Sequence, residues 1–269
     1  MERRMALFFK MKRSKKIVCL VSVFILTLFS CSNDDNSSIK LLQKMVETSE
    51  GGLPETTFFT YNGSEIVSMD GANKRTDFTY TAGLITKTVA FNKMNQSRET
   101  TEYSYLKDKI VEVASVGKYR ISYVHNLDKT VSYQKITFAS GNQEVKEFHG
   151  TLYFENENLI KDERIADNTA TGVTSIYSIS FDYDANKNPL FHIKGLRELL
   201  DHNEKISINN SLINIETTSL TKDDQIISAA ALYKSIFKYD LDKYPTERVS
   251  ENAILSNGNR GYLKTEYFY

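Results

Sequence analysis

The chain reads as all-β. The expected fold is an antiparallel meander of about 12–16 strands rolled into a barrel-like or strongly curved sheet, with one short helical insert. Three observations carry this. An aromatic–polar–aromatic phrase recurs along the chain, turn-forming residues follow it, and apolar side chains then alternate with Lys, Thr or Glu. Aromatics two apart share one face of a strand, while the residue between them takes the other.

The first segment is unlike the rest. Of the 34 basic and 34 acidic residues in the 269-residue chain, seven basic and one acidic lie in residues 1–30. The formal neutrality therefore averages a basic leader with a remainder that is net negative. Lys12-Arg13-Ser14-Lys15-Lys16 precedes the apolar run from Ile17 to Phe29. That run spans only about 20 Å as a helix, short of the ~30 Å hydrocarbon core of a bilayer. A basic cluster before a short apolar run is the pattern of a secretory signal peptide, expected here over residues 1–30. Met11 is an equally good start for it.

Leu28-Phe29-Ser30-Cys31 resembles a bacterial lipobox, with a small residue before a cysteine that becomes the lipidated mature N-terminus. Phe29 departs from the small residue usual at that position. Ser32, Asn33, Asp34 and Asp35 look like the acidic export tag of Bacteroidetes surface lipoproteins. On this reading residues 31–50 are a lipidated cysteine and flexible tether, and 51–269 form a single β domain. With Cys19 removed and Cys31 acylated, the mature chain has no thiol for a disulfide, nucleophile or metal.

The β domain opens with Phe59-Thr60-Tyr61-Asn62-Gly63, echoed by Phe78-Thr79-Tyr80-Thr81-Ala82-Gly83. Looser copies stand at Tyr103-Ser104-Tyr105, Ile121-Ser122-Tyr123, Leu152-Tyr153-Phe154, Phe181-Asp182-Tyr183, Phe237-Lys238-Tyr239 and Tyr267-Phe268-Tyr269. Asn62-Gly63 and Ala82-Gly83 suit the positive φ of tight hairpins. Alternation in Lys109-Ile110-Val111-Glu112-Val113 and Lys135-Ile136-Thr137-Phe138 marks half-buried strands. The interior is expected to be packed, and the polar face carries Lys, Glu, Asp and Thr. A membrane barrel needs a continuously apolar outside, so a channel is not expected.

An insert is expected at about 189–225. Asn188-Pro189 makes a turn, and Leu196, Leu199 and Leu200 then share one face of a one- or two-turn helix. It reads as a plug against the sheet, with Ser207 to Asn210 as its return loop; the alternative is a loop that forms a ligand pocket.

The Phe/Tyr-x-Tyr-Asp units are similar to the YD repeats of Rhs-type proteins. Together with the lipobox, the acidic tag and the Lys187-to-Leu196 insert, they resemble an uncharacterised family of Bacteroidetes lipoproteins over about residues 55–269. The resemblance implies a porin-like, many-stranded antiparallel fold, and no established activity.

No catalytic site emerges. Asp182-Tyr183-Asp184-Ala185-Asn186 imitates the start of a calcium loop, but Lys187 and Ile193 stand where Gly and Glu are needed. His125, His149, His192 and His202 have no zinc spacing and read as surface or turn residues. Nucleophile-elbow, Walker and dinucleotide motifs are missing, so no cofactor or metal is expected. Charge balance argues against nucleic acid. The 16 Tyr and 15 Phe read as core rather than as a sugar-stacking platform, and there is no Trp. The expectation is a non-enzymatic binding or structural module, lipid-anchored at the outer membrane and facing the exterior, with a glycan or envelope protein as partner. A surface hydrolase acting on polysaccharide is the alternative.

Overall fold

The computed structural model describes residues 39–139, 143–200, 202, 204–255 and 260–269. The expected signal peptide, Cys31 and the stretch Ser32 to Asp35 lie outside the described residues. From Ile39 onward the chain is one compact unit. Sixteen antiparallel strands follow one another as a meander, and the last pairs with the first to close a barrel. The rest of the regular structure is two single-turn 3-10 helices, Arg197–Leu199 and Glu204–Ile206. Among the described residues no helix is long and apolar enough to cross a membrane.

The strands are β1 (Lys44–Ser49), β2 (Glu55–Asn62), β3 (Glu65–Asp70), β4 (Lys74–Thr81), β5 (Leu84–Asn92), β6 (Arg98–Leu106), β7 (Lys109–Ser115) and β8 (Tyr119–His125). They continue as β9 (Val131–Ala139), β10 (Gln143–Glu155), β11 (Asn158–Ala166), β12 (Val173–Lys187), β13 (Asn209–Lys222), β14 (Gln225–Tyr239), β15 (Pro245–Ile254) and β16 (Arg260–Phe268).

Two boundaries differ from the sequence reading. The tether does not run to residue 50, because β1 bridges β16 and β2, with Met45 opposite both Tyr267 and Thr57. Without β1 those two strands would each present an unpaired edge. The insert ends near residue 208 rather than 225, since β13 pairs along β12 and β14. Its side chains opposite Tyr183, Phe181, Ile179 and Tyr177 are Ser211, Asn214, Glu216 and Thr218. The apolar residues that alternate here, Ile213 and Ile215, lie on the opposite, outward face.

The repeated phrase has a structural meaning. Its aromatic pairs point into the barrel, and the second aromatic opposes the second residue of the next strand: Tyr61 faces Ile66, Tyr80 faces Ile85, Tyr105 faces Ile110, and Phe154 faces Leu159. These four aliphatic residues are at most 1% exposed. In each hairpin the register shifts beside that pair, as a β-bulge does. Pairing with the following strand therefore starts only beyond the aliphatic residue, which leaves a backbone group to satisfy. The next copy supplies it. Tyr105 Oη donates to the Ile85 carbonyl at 2.7 Å, Tyr183 Oη to that of Leu159 at 2.6 Å, and Tyr80 Oη accepts from the Ile66 N–H at 3.1 Å. Turn chemistry follows the expectation except at Asn62. Gly63, Ala82 and Gly83 have φ of 62°, 51° and 80°, whereas Asn62 closes its strand opposite Glu65.

The connection from β12 to β13 enters one end of the barrel as a plug. Leu190, Ile193, Leu196 and Leu199 pack on Leu42, Phe59, Ile66, Ile85 and Tyr267, while Leu200 and Ile206 join Ile110, Tyr123, Tyr133, Leu152 and Leu159. Each such side chain, fully buried, stabilises by roughly 1.5–3 kcal/mol. The plug is also tied at its polar edge: Lys194 N–H donates to the Ser64 carbonyl at 3.0 Å, and Tyr80 Oη donates to the Lys194 carbonyl at 2.8 Å. Gly195, at φ 76°, lies where a Cβ would meet the Ile85 nitrogen at 3.2 Å.

The outward face is charged around the circumference. Arg75 pairs with Asp77, Arg120 with Glu144, and Lys161 with Glu163. Lys264 reaches both Glu247 and Glu266 at 3.2 Å, and Lys238 reaches Glu247. A lipid-facing Lys or Arg near a bilayer midplane costs about 2–4 kcal/mol.

Candidate functional site

The interior is not packed throughout, as the sequence reading expected. A cavity of about 460 Å³ remains in the lumen. Its wall comes from β1–β4 and β13–β16, its floor from the plug residues Asn188, Pro189, Leu190 and Lys205, and the β3–β4 turn from Gly71 to Asn73 also lines it. The insert is therefore both plug and pocket floor. A small-molecule site typically measures 300–1,000 Å³, so the volume is in range.

The lining divides into two kinds. Leu42, Met45, Phe59, Met69, Phe237 and Tyr267 supply apolar and aromatic surface. Against these stand Glu47, Glu55, Lys205 and Arg248. Glu47 and Glu55 are directly opposite on β1 and β2, so their Cβ atoms are about 4.5–5.5 Å apart. Burial pushes the Glu47 carboxyl above its ordinary range; Lys205 and Arg248 oppose the shift and Glu55 adds to it. Arg248 donates to Ser235 Oγ at 3.0 Å and lies over the Phe237 ring, 5.6 Å from its centroid. With Lys74 also in the lining, two acids and three bases thus share one partly apolar chamber.

A second polar cluster sits apart from the cavity, where plug meets wall. Asp162 is fully buried and accepts from Tyr133 Oη, from Arg164 Nε at 2.9 Å and from His202 Nδ1 at 3.4 Å. His202 Nε2 bonds Tyr123 Oη at 2.8 Å. Burial favours the neutral acid, but the His202 hydrogen bond and the Arg164 charge outweigh it and hold the Asp162 carboxyl below the ordinary carboxylate range. Gly150, opposite both Tyr133 and Arg164, is the space this cluster occupies: a Cβ there would meet the Tyr133 ring at 2.6 Å. None of Tyr133, Asp162, Arg164 or His202 lines the cavity. The cluster clamps the plug to the barrel wall.

The histidines are not uniformly surface or turn residues. His149 pairs with Asp167 in the open, but His192 and His202 are plug residues set against the wall. His192 Nε2 is buried without a partner in the structure, and burial with the nearby Lys187 charge lowers its pKa. Asp184, from the calcium-like stretch, accepts from Asn186 N–H, Asn210 N–H and Tyr239 Oη. It caps backbone and is not aimed at a free site. Among the described residues no group of three His, Cys, Asp or Glu is placed to hold a metal ion. Sequence reasoning missed Glu47 because it placed β1 in the tether, and with β1 absent nothing set Glu55 of β2 opposite another carboxylate.

The site and fold define a plugged, antiparallel 16-stranded barrel with a lumen cavity. No family model and no curated relative matches the chain. Among solved structures it is similar to a porin-like protein from Bacteroides vulgatus, with TM-score 0.55 and 13% identity over 86% of this chain and 99% of that one. A porin-like protein from Bacteroides uniformis aligns with TM-score 0.46 and 11% identity over 84% of this chain and 95% of that one. At such identity the first likeness concerns fold: the porin-like, many-stranded antiparallel architecture expected from the sequence is the one observed.

Proposed function

We propose that this protein is a lipid-anchored, non-enzymatic binding module of the outer membrane that faces the exterior and receives its ligand in the lumen cavity. The observation that carries the reading is the inversion of membrane-barrel logic: charged, ion-paired side chains outside, and a plugged lumen with one mixed apolar and charged chamber. Such an outside leaves the barrel in water, so attachment falls to Cys31 and its acyl chains, which the lipobox-like Ser30-Cys31 and the following acids suit. The porin-like Bacteroides neighbour agrees with a lipoprotein of that bacterial group, and the YD-like phrase with its uncharacterised family. A glycan or peptide of an envelope partner is the ligand class that aromatic surface beside paired acids and bases would accept.

Two measurements test this. Protease added to intact cells should digest the chain; protection until lysis would contradict the exterior location. On a glycan array and in an envelope pull-down, binding by the intact protein should fall at least tenfold on Ala253→Trp, which fills the chamber. Unchanged binding would remove the cavity from the account.

One observation favours the second reading, a surface hydrolase of polysaccharide. Glu47 and Glu55 form an opposed carboxylate pair, the residue chemistry of glycoside hydrolysis. Burial raises the Glu47 carboxyl despite the Lys205 and Arg248 charges, as a general acid would require. Release of reducing ends from envelope polysaccharide, abolished by Glu47→Gln, would instead establish the enzyme.

A further inference from the structure

The two ends of the barrel differ. Strands of a meander alternate in direction, so the turns after β2, β4, β6, β8, β10 and β14 lie at the plugged end, together with Ile39 and Tyr269. The lumen cavity rises from the plug and reaches the β3–β4 turn at Gly71 to Asn73, which belongs to the other end. Its mouth is therefore at the end opposite the plug.

Three turns of the plugged end share a pattern. Leu106-Lys107, Leu127-Asp128-Lys129 and Leu241-Asp242-Lys243 each set a leucine at the tip, 65%, 106% and 102% exposed, beside an exposed lysine at φ 52°, 69° and 66°. Two neighbouring acids are already engaged: Asp242 pairs with Lys40 at 2.7 Å, and Asp128 accepts from the Thr130 N–H at 3.0 Å. Single exposed apolar residues are ordinary on a protein surface, and Met94 and Val116 at the other end are such. A leucine and lysine recurring at one end suit a bilayer surface, where the leucine meets the acyl boundary and the lysine the headgroup phosphates. The β6–β7 and β14–β15 turns are eight strands apart in a circuit of sixteen, on opposite sides of the rim.

The chain before Ile39 determines what this rim can meet. Lys40 Nζ lies 2.7 Å from both Asp240 and Asp242, the residues flanking Leu241, so the chain leaves the barrel beside that tip. Eight residues lead from Cys31 to Ile39, and fully extended they span at most about 26–29 Å. β2 alone takes eight residues to run from one end of the barrel to the other, about 26 Å. A barrel standing on its open end would need that tether drawn straight along the whole wall. We propose that the plugged end is a lipid-contacting surface: Leu106, Leu127 and Leu241 enter the interface of the bilayer that holds the Cys31 acyl chains, and the chamber opens away from it. The proposal rests on the reading of Cys31 as the anchor. Three leucines orient the barrel, while the acyl chains hold it. A ligand then reaches the chamber from the medium and not from the bilayer underneath.

Fluorescence quenching tests this on the full-length lipidated chain, in vesicles of phosphatidylethanolamine and phosphatidylglycerol that include a lipid with a nitroxide at its headgroup. Because Cys31 is acylated, Leu106→Cys, Leu241→Cys and Met94→Cys each supply the one thiol for a nitrobenzoxadiazole label. Quenching should be several-fold stronger at positions 106 and 241 than at 94. Quenching at 241 alone would reflect only the tether and overturn the contact. Equal quenching at 94 would lay the barrel on its side and overturn it as well. A chain that stays with the vesicles while both rim labels remain unquenched would refute the contact and leave the anchor standing. A wild-type chain that separates from the vesicles on flotation would instead defeat the anchor reading, and this proposal with it.

Discussion

A tyrosine hydroxyl is what separates this barrel's repeat from a merely aromatic one. Tyr105 Oη meets the Ile85 carbonyl that the bulge takes out of the ladder. Tyr105→Phe keeps the ring and strands that carbonyl, so stability should fall by about 1–3 kcal/mol in urea unfolding. The Asp162 clamp makes a larger prediction. Asp162→Asn leaves the half-buried Arg164 guanidinium, set against Phe148 and Tyr177, without its counter-ion, at a cost of about 3 kcal/mol. Because the folded-state carboxyl lies below its ordinary range, this contribution is whole at neutral pH and lost as pH falls through the carboxylate range. The gap between wild type and Asp162→Asn should therefore close on strong acidification. The aromatic phrase could be read from the chain because its period is that of a strand. The clamp could not: Tyr133 and His202 stand 29 and 40 residues from Asp162, and nothing local joins them.

Strands and plug answer to different rules. The hairpins were legible because local turn chemistry and alternation agree, as at Ala82-Gly83. β13 was hidden because its inward residues are polar, and β1 because a short strand beside a leader resembles a tether. The plug owes its place to burial rather than to helical propensity, since its regular part is two single 3-10 turns. Ile193, 2% exposed, is its innermost anchor. Ile193→Ala should cost about 2–5 kcal/mol and make the 188–208 connection the first segment cut by protease in the folded protein. Its histidine adds a milder pH effect. His192 is depressed by burial, so the unfolded chain takes up its proton first and plug stability declines as pH falls below the ordinary imidazole range. His192→Phe should flatten that slope in thermal unfolding; an unchanged slope would assign it to another group.

At the scale of the whole molecule, strand number and closure match a porin-like barrel while the surface chemistry does not. Fold class was legible because repeat count and alternation both point to a rolled meander. The lumen cavity was not, since it depends on how far a plug from β12–β13 fills a barrel wide enough to leave space beside β1 and β2. Charged pairs such as Lys264 with Glu247 and Glu266 line the outside that a spanning barrel would give to lipid. On the proposed reading, attachment to a membrane falls to acyl chains on Cys31. Fractionation of cells expressing Cys31→Ala tests this directly. The account predicts that the folded barrel leaves the membrane fraction for the soluble one; a Cys31→Ala barrel that stays with the membrane and resists alkaline extraction would mean that the strands themselves lie in lipid.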